Sequence, residues 1–416
     1  MRDAVVIGAG LAGLTAALYL ARGGASVTVV TKGLGGLQLG QGTVDILGYS
    51  ESRVNAPIAQ ISEHISSRPT HPYTHFTPEF VAQSANWLKD VLGPDLLIGD
   101  PEKNVVLPTA IGALRPTSLY QPSMEAGIPA DGASYLIVGL RRLKDFYPTL
   151  AAENLSRQTT PNGEPIKARS LIVDVEMRAD EADTTGTNHA RTLDRAKMRT
   201  KLVEAIKPHV REGEIIGLPA VLGLDDLNAW KDIADQLGHK VFEIPMQPPS
   251  IPGMRMNQVL TALVKAEARF ILGSAVKGIE TDGQNVTAVM IGTAGHSTRI
   301  ETKNVILAGG GFESGALDMD SYGKVTETIL GLPVLGAEGQ LLHGDFWGAD
   351  QPIFLAGLDV DDEMHPLDAA KKPVYTNVYA AGGNLAGATR WREKSGEGIA
   401  LASALRAADS ILGSLK

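Results

Sequence analysis

The chain is 416 residues long and carries 38 Lys and Arg against 47 Asp and Glu, so its formal net charge at pH 7 is −9. This acidic excess argues against a nucleic-acid-binding protein, whose surface usually carries a basic patch. The sequence contains no cysteine, which excludes disulfide bonds, thiolate zinc sites, cysteine-ligated iron–sulfur clusters and cysteine nucleophiles.

An apolar stretch at the start of the chain, running to Ala21, has the composition of a signal peptide. It also holds the most informative motif of the sequence, so we interpret it as part of the mature protein. No uninterrupted apolar run reaches the roughly 18 residues that a membrane helix needs. We therefore expect a cytoplasmic protein, with any peripheral contact to the inner face of the cell membrane made through a partner subunit.

The first predicted elements form a β–α–β unit. A β-branched strand over residues 4–7 leads into the turn Gly8–Gly13, then a helix to about Ala21, and a second strand over residues 27–30. The turn has the spacing G-x-G-x-x-G, in which glycines permit the tight turn, the close approach of a diphosphate and the packing of helix on strand. The N–H groups at the start of the helix then face the phosphates. The sequence therefore predicts a dinucleotide site here.

The second strand ends in Thr31-Lys32, where a carboxylate usually binds the adenosine ribose. Either the Thr31 hydroxyl binds the ribose or the nucleotide is held in another way. A fingerprint with this ending, followed by a glycine-rich loop over residues 33–43, resembles the succinate dehydrogenase/fumarate reductase type of flavoprotein. The resemblance implies that this loop passes beside the flavin ring. Some relatives attach flavin covalently through a histidine in the loop, but no histidine precedes His64, so we expect non-covalent binding.

The middle of the chain contains three histidines close in sequence, His64, His71 and His75. Prolines between them prevent a single helix face from bringing the rings together, and few carboxylates lie nearby. We therefore predict a surface loop and no metal site.

The carboxy-terminal half supplies two more strands that end in glycine. Residues 270–311 have the pattern of a β-meander, which closes on the run Ala308–Gly311. A strand over residues 377–381 leads into Gly382-Gly383, and Gly396-Glu397-Gly398 opens a helix to about Leu412. Elements of this kind, in this order, resemble the two-dinucleotide-binding flavoproteins. In that class the last helix points its amino terminus at the pyrimidine side of the flavin, where its dipole stabilises negative charge on the reduced ring.

Four segments together resemble the B subunit of anaerobic glycerol-3-phosphate dehydrogenase, namely residues 42–47, 248–256, 329–334 and 377–383. The resemblance implies a flavin subunit of a quinone-linked complex that also contains a larger flavoprotein and an iron–sulfur subunit. It further implies oxidation of a small phosphorylated substrate, sn-glycerol 3-phosphate, to glycerone phosphate. The motif at residues 8–13 favours FAD, and FMN, the flavin associated with the family, remains the alternative. Two other possibilities are a flavin electron-transfer or scaffold subunit without substrate chemistry and a stand-alone fumarate-reductase-like flavoprotein.

Three residues are candidates for the chemistry. Arg255 follows a proline-rich turn and has the guanidinium that a phosphate ester requires, and its alternative role is a buried ion pair. His343 and His365 are candidates for the base that takes the hydroxyl proton. Arg390, Arg392 and Lys394 form a small basic cluster that either binds phosphate or flavin or lies on a solvated loop. The predicted cofactor residues lie at the three strand ends, in the glycine-rich loop, on the meander and at the last helix: Gly8, Gly10, Leu11, Ala12, Gly13, Thr31, Lys32, Gln38, Gly42, Thr43, Val276, Ala308, Gly309, Gly310, Gly382, Gly383, Gly396, Gly398 and Ile399.

The predicted fold class is α/β, with a Rossmann-like FAD-binding domain of the two-dinucleotide-binding flavoprotein type and an inserted α+β cap domain. The flavin domain is expected to be discontinuous, comprising residues 1–50, 255–320 and 370–416. The cap, or substrate domain, is expected at residues 51–254 and 321–369.

Overall fold

The structure, a computed structural model, describes residues 1–178, 180–293, 296–345 and 348–415. The strands of this part of the chain are β1 Arg2–Ile7, β2 Val27–Thr31, β3 Ile98–Gly99, β4 Val105–Pro108, β5 Leu114–Thr117, β6 Leu119–Tyr120, β7 Ser134–Leu140, β8 Lys167–Val173, β9 Glu214–Pro219, β10 Val241–Ile244, β11 Arg269–Leu272, β12 Val276–Asp282, β13 Asn285–Thr293, β14 His296–Leu307, β15 Leu317–Met319, β16 Val325–Glu327 and β17 Val378–Ala380. The helices are α1 Leu11–Arg22, α2 Pro57–Ser66, α3 Pro78–Leu92, α4 Pro148–Leu155, α5 Gly186–Leu193, α6 Ala196–Ile206, α7 Ala229–Leu237, α8 Ile251–Glu267, α9 Arg390–Glu393 and α10 Gly396–Ser414.

The chain folds into two units. The first unit comprises Met1–Gly36, Asp45–Leu88 and Val259–Lys416, and the second comprises Leu37–Val44 and Lys89–Gln258. These bounds differ from the predicted ones, because residues 51–88 and 321–369 belong to the first unit, and residues 37–44 and 255–258 belong to the second. Part of the reason is that the segment around His71 is hydrogen-bonded to Glu393, which lies near the end of the chain.

A seven-stranded sheet forms the centre of the first unit, with the order β11-β2-β1-β14-β13-β12 and with β17 also paired to β14. The pairs β11–β2, β2–β1, β1–β14 and β14–β17 are parallel, whereas β12, β13 and β14 form an antiparallel meander. Phe270 was predicted to start the meander, but it lies on β11, which pairs with β2 instead. The meander itself begins at Val276.

Sequence and burial agree in this sheet. The apolar run of β1 is buried, as is all of β2, and the last residues of β14 are fully buried. Continuous apolar strands of this kind are typical of parallel sheets covered on both faces. Helices α1 and α10 contact each other, and their small residues, including Ala16, Ala17, Ala404 and Ala407, are fully buried. Small side chains let two helices approach closely.

The second unit is built on a four-stranded parallel sheet with the order β10-β9-β7-β8. Two short antiparallel pairs, β3–β6 and β4–β5, lie outside this sheet. The core contains side chains from β7, β9 and β10 together with residues of α4 to α7. Among the helices of the described residues, none combines the length and hydropathy of a membrane-spanning segment.

Candidate functional site

Four neighbouring parallel strands of the first unit end at one edge of the sheet. Ile7 pairs with Val30 of β2 and with Leu307 of β14, and Leu307 pairs in turn with Ala380 of β17. The predicted glycine turns therefore lie side by side, although hundreds of residues separate them in sequence. In parallel α/β sheets this carboxyl edge is where ligands bind.

The turn between β1 and α1 contains two kinds of glycine. Gly8 has φ +112°, and a Cβ there would lie 2.1 Å from the carbonyl oxygen of Ala308. A Cβ at Gly13 would lie 2.1 Å from the carbonyl oxygen of Gly8. These two glycines let backbone segments pack together. Gly10 is different, because no described atom beyond its immediate neighbours along the chain lies within 4 Å of where its Cβ would be.

The open space at Gly10 lies at the amino terminus of α1. No side chain among the described residues caps this helix, and its first turn contains no acidic residue. The N–H groups of Leu11, Ala12 and Gly13 have no partner within the helix, because the first turn lacks preceding carbonyls. Unpaired N–H groups and the positive end of the helix dipole favour an anion. This geometry fits the diphosphate of a dinucleotide.

Thr31 occupies the end of β2, at the position where a ribose-binding carboxylate was expected. Its hydroxyl is buried and donates to the carbonyl oxygen of Gly33 at 2.6 Å. The hydroxyl oxygen keeps its acceptor capacity, which suits a ribose hydroxyl. Lys32 is exposed. Val276 begins β12 just after Gly273 and Ser274, whose N–H groups donate to the carbonyl oxygen of Thr31, so the chain brings Val276 toward the same strand end.

The two later glycine runs complete the edge. Gly310 and Gly382 have φ values of +84° and +80°. A Cβ at Gly382 would lie 2.8 Å from the Cβ of Ala12, and one at Gly309 would lie 2.6 Å from the Cδ1 of Ile329. The glycines after β14 and β17 therefore allow the three turns to lie against one another and against their neighbours.

Arg390 lies beside these glycines. A Cβ at Gly383 would lie 2.5 Å from its Nη1, and one at Gly311 would lie 3.0 Å from its Nη2. The side chain is only 24% exposed, and its closest ion-pair partner in the described chain is Glu313 at 3.9 Å, which is itself 60% exposed. Burial lowers the pKa of Arg390 from its ordinary value, since the carboxylates around it compensate only in part. The sheet edge therefore carries a poorly paired guanidinium.

The first residues of α10 make close contacts with other parts of the first unit. The N–H of Gly398 donates to the carbonyl oxygen of Asp45 at 3.0 Å, and a Cβ at Gly398 would lie 2.2 Å from the hydroxyl of Tyr73. Ile399 is fully buried. Of the three predicted residues here, Gly396 is the least enclosed, because the nearest atom to its Cβ position is 3.7 Å away, on Arg390. A flavin contact by Gly398 or Ile399 stays a prediction.

Three predicted cofactor residues of the glycine-rich loop fall in the second unit. The carbonyl oxygen of Gln38 accepts from the N–H of Ser250. Gly42 has φ +73°, and a Cβ there would lie 2.3 Å from the Cβ of Pro252. The hydroxyl of Thr43 accepts from Arg115 at 3.2 Å. These contacts explain the conformation of the loop, and its contact with flavin remains a prediction.

Arg255 has its guanidinium occupied by the fold. The residue is 3% exposed, and its Nη1 and Nη2 donate to the two carboxylate oxygens of Glu243 at 2.6 and 3.0 Å. Its Nε donates to the carbonyl oxygen of Gly223 at 3.0 Å, and its Nη2 also contacts that of Leu222. No nitrogen of this guanidinium is left for a substrate phosphate. Arg255 therefore takes the alternative role given above, that of a partner in a buried ion pair.

The rings of both candidate bases make their hydrogen bonds within the chain itself. Gln351 donates to Nδ1 of His343 at 3.2 Å, so Nε2 of His343 carries the proton and faces the carbonyl oxygen of Asp350. His365 is bound through Nδ1 to Asp361 at 3.0 Å, is also hydrogen-bonded to the backbone of Thr376, and packs against the ring of Tyr379 at an angle of 35°. Burial alone would lower the pKa of His365, but the Asp361 carboxylate outweighs it and raises that pKa. We therefore do not assign the base to either histidine.

The surface loop predicted around the three histidines is wrong for two of them. His64 and His71 are buried, and they meet Glu393 in a cluster whose ligand atoms lie within 4.8 Å of one another. His75 is more exposed and pairs with Asp362. Local spacing gave no signal for this cluster, since 322 residues separate His71 from Glu393.

Hydrogen bonding determines which ring nitrogens of the cluster carry protons. The backbone N–H of Tyr73 donates to Nδ1 of His71 at 3.0 Å, so the proton of the neutral ring lies on Nε2, which donates to Glu393 at 3.0 Å. Arg68 donates to Nδ1 of His64 at 3.1 Å, so Nε2 of His64 also carries a proton. A histidine that binds a metal offers a lone pair at the coordinating nitrogen, which here would be the Nε2 that faces Glu393, and usually donates from its other nitrogen. The cluster therefore suits protons better than a metal ion.

Comparisons with known proteins agree with the nucleotide site that the glycine turns indicate. The sequence profile of the FAD binding domain family matches residues 3–399. The probable B subunit of anaerobic glycerol-3-phosphate dehydrogenase from Halobacterium salinarum is 31% identical over 96% of this chain and 95% of its own length. The B subunit of anaerobic glycerol-3-phosphate dehydrogenase from Pectobacterium atrosepticum is 30% identical over 99% of this chain and 98% of its own length.

Solved structures are more distant. The open conformation of a flavocytochrome c3 fumarate reductase is 11% identical, covers 99% of this chain and 78% of its own, and has a TM-score of 0.45. From the family profile and the full-length relatives, we conclude that the chain is an FAD-binding flavoprotein and belongs to the family of anaerobic glycerol-3-phosphate dehydrogenase B subunits.

Proposed function

We propose that this chain is the FAD-carrying subunit that oxidises sn-glycerol 3-phosphate to glycerone phosphate in a quinone-linked complex. The observation that carries the proposal is the shared sheet edge, which combines the open, uncapped turn at Gly10 with the poorly paired guanidinium of Arg390. The names of the relatives suggest the substrate, and the open turn and the guanidinium support a site for a diphosphate and a cation for a phosphate ester.

The reaction removes a hydride from C2 of the substrate and a proton from its hydroxyl group. Bound FAD supplies the hydride acceptor. In this proposal the turn Gly8–Gly13 and the start of α1 hold the diphosphate, and Thr31 accepts from the ribose. Arg390 binds the substrate phosphate, for which a planar guanidinium with several donors is well suited. Arg390 thus takes the role that the sequence suggested for Arg255.

A specific observation supports a second candidate function. Both histidines that were candidates for the base are hydrogen-bonded to neighbouring groups: His343 to Gln351 and the carbonyl oxygen of Asp350, and His365 to the carboxylate of Asp361. A chain without a base would pass electrons between partner subunits instead of oxidising the substrate itself. In that arrangement the larger flavoprotein subunit carries out the oxidation.

Anaerobic reduction separates the two candidates. Adding sn-glycerol 3-phosphate to the purified, FAD-loaded protein is expected to bleach the visible flavin absorbance, whereas glycerol, which lacks the phosphate, is not. If dithionite bleaches the flavin and glycerol 3-phosphate does not, the chain is a relay.

The role of Arg390 is tested in the same assay. Hydrogen bonds to charged groups contribute about 1.5–3 kcal/mol, so Arg390→Met is expected to raise the substrate concentration for half-bleaching by at least about tenfold. Arg392→Met is the matched control, since Arg392 is more exposed and pairs with Asp350. Equal effects of the two substitutions would remove Arg390 from the proposal.

The cofactor and partner assignments have direct tests. Acid precipitation is expected to release the flavin, because its attachment is proposed to be non-covalent, and the mass of the released compound distinguishes FAD from FMN. Co-purification from the native cell is expected to recover a larger flavoprotein and an iron–sulfur subunit. The complex is expected in the membrane fraction, bound at the inner face of the cell membrane. Recovery of the chain alone from gently lysed cells would contradict this assembly.

A further inference from the structure

The short helix that carries Arg390 cannot be stable by itself. Helix α9 spans only Arg390–Glu393 and is followed by Lys394 in a left-handed conformation, φ +54°. A single turn of helix makes too few hydrogen bonds to offset its ordering cost. Its position must therefore come from contacts with the rest of the first unit.

Glu393 makes most of those contacts. One carboxylate oxygen, Oε1, accepts from the backbone N–H and the hydroxyl of Thr389, both at 3.0 Å. The other, Oε2, accepts from Nε2 of His71 at 3.0 Å and from the hydroxyl of Ser395 at 3.2 Å. The carbonyl oxygen of Glu393 also accepts from the N–H groups of Gly48 and Tyr49, each at 2.9 Å. Glu393 thus connects both ends of α9 to two other segments.

The charge state of the cluster strengthens this attachment. Burial alone would raise the pKa of Glu393, but His64 and His71 outweigh it and hold that pKa well below its usual range. Burial also lowers the pKa of His71, so the ring stays neutral with its Nε2 proton directed at the carboxylate. Hydrogen bonds to an ionised acceptor are about twice as strong as neutral ones. The buried cluster is therefore a carboxylate surrounded by donors.

Arg390 and Glu393 lie three residues apart on the same turn. The carboxylate fixes Thr389, the residue before Arg390, and the carbonyl oxygen of Arg390 accepts from the N–H of Ser395 at 3.3 Å. A change in the tilt of α9 would move the guanidinium away from Gly311 and Gly383. Nothing else among the described contacts of the Arg390 side chain holds it there as firmly, because its ion pair with Glu313 is 3.9 Å long.

We propose that Glu393, held by His71 and with Nε2 of His64 only 3.4 Å from its carboxylate, is a positioning residue that keeps the Arg390 guanidinium at the carboxyl edge of the sheet. Its effect on ligand binding rests on the proposed function, in which Arg390 binds the substrate phosphate. Its effect on the position of Arg390 does not.

Glu393→Gln is the informative substitution. A carboxylate accepts on both sides, but an amide accepts only at its oxygen. Glutamine can therefore satisfy either Thr389 or His71, and its NH₂ group then faces a donor on the other side. Asp361→Asn is the matched control, because Asp361 is also a carboxylate bound to a histidine in the first unit but lies outside this cluster.

The position of Arg390 is measured first, in the FAD-loaded protein. Phenylglyoxal modifies accessible arginines, and mass spectrometry gives the rate at Arg390. We expect Glu393→Gln to raise this rate severalfold and Asp361→Asn to leave it unchanged. An unchanged rate in a folded Glu393→Gln protein would overturn the proposal. If that variant does not fold, Thr389→Val removes one donor to the same carboxylate, and the same criterion applies to it.

Ligand binding is measured second, with inorganic phosphate as the probe and the visible flavin spectrum as the signal. Glu393→Gln is expected to weaken phosphate binding about tenfold, which corresponds to about 1.4 kcal/mol, and to have no further effect in an Arg390→Met background. Equal weakening in both backgrounds would overturn positioning through Arg390. If Arg390→Met does not change phosphate binding, the proposed function of Arg390 fails, while the phenylglyoxal result still decides the role of Glu393.

Discussion

Replacing Gly10 with alanine separates ligand binding from folding. Gly10 has φ −75° and ψ −176°, a conformation open to any residue, and its Cβ position has no described atom within 4 Å beyond its immediate neighbours along the chain. In the free protein the added methyl group is therefore harmless. A Gly-to-Ala change at a compatible position stabilises a protein by about 0.4–1 kcal/mol, because it reduces the freedom of the unfolded chain.

The same methyl group would occupy the space that we assign to the FAD diphosphate. We expect Gly10→Ala to weaken FAD binding at least about tenfold, or about 1.4 kcal/mol. At an FAD concentration of 100 times the wild-type Kd, bound FAD stabilises the protein by about 2.7 kcal/mol, and a tenfold weaker Kd reduces this to about 1.4 kcal/mol. Gly10→Glu, which adds a negative charge beside the diphosphate, is expected to abolish FAD retention.

The assay compares thermal unfolding of the flavin-free protein with titration by FAD. Gly413→Ala is the control, because its Cβ position is equally open but lies near the far end of α10. Gly8→Ala is the opposite case: its φ of +112° and the 2.1 Å approach to Ala308 predict a loss of folding stability of about 1–3 kcal/mol. Wild-type FAD affinity in Gly10→Ala would refute the assignment of the diphosphate site.

Two pH predictions follow from the buried histidines. Burial lowers the pKa of His71, so the contribution of neutral His71 to stability is present above the unfolded pKa of about 6.5 and is lost as the pH falls. His71→Gln should therefore flatten the fall in unfolding free energy below that pH, by at most about 1.4 kcal/mol per pH unit. The pKa of His365 is raised, so its effect is present below about pH 6.5 and is lost as the pH rises through the folded value; His365→Gln should flatten the opposite side of the profile. Urea unfolding across pH 5–8 measures both slopes, and identical profiles for the two variants would contradict the assignments. Arg255→Met should cost about 3–5 kcal/mol by leaving Glu243 buried without its partner, and adding Glu243→Leu should recover most of that loss, whereas a stable single variant with weakened substrate binding would restore Arg255 to the site.

Local patterns predicted the flavin-side elements well. The strand at residues 4–7, the helix after Gly13 and the strand at residues 27–30 correspond to β1, α1 and β2, with ends shifted by a few residues at most. The strand before Gly382 and the last helix were also found. Each has a strong internal signal, since an apolar β-branched run or a periodic small-residue helix needs no distant information.

Pairings between distant segments were not predictable in the same way. The loop with His71 contains polar residues and prolines, which is typical of a surface segment. Its burial follows from Glu393, and no sequence spacing joins two segments so far apart. The first strand assigned to the meander, β11, shows the same limit, because an apolar strand pairs equally well with β2 or with its neighbour in sequence.

Two arginines show what decides whether a charged side chain is available to a ligand. Both Arg255 and Arg390 lie near glycines at predicted element boundaries, and both were reasonable candidates for binding phosphate. A usable signal existed for one of them: Glu243 interrupts the apolar strand Val241–Ile244, and a buried carboxylate needs a cationic partner. Arg255 supplies that partner, and its guanidinium is therefore not available to a ligand. The closest ion-pair partner of Arg390 among the described residues is the exposed Glu313 at 3.9 Å, and the carboxylates around Arg390 offset its burial only in part, so a bound anion has the most to contribute there.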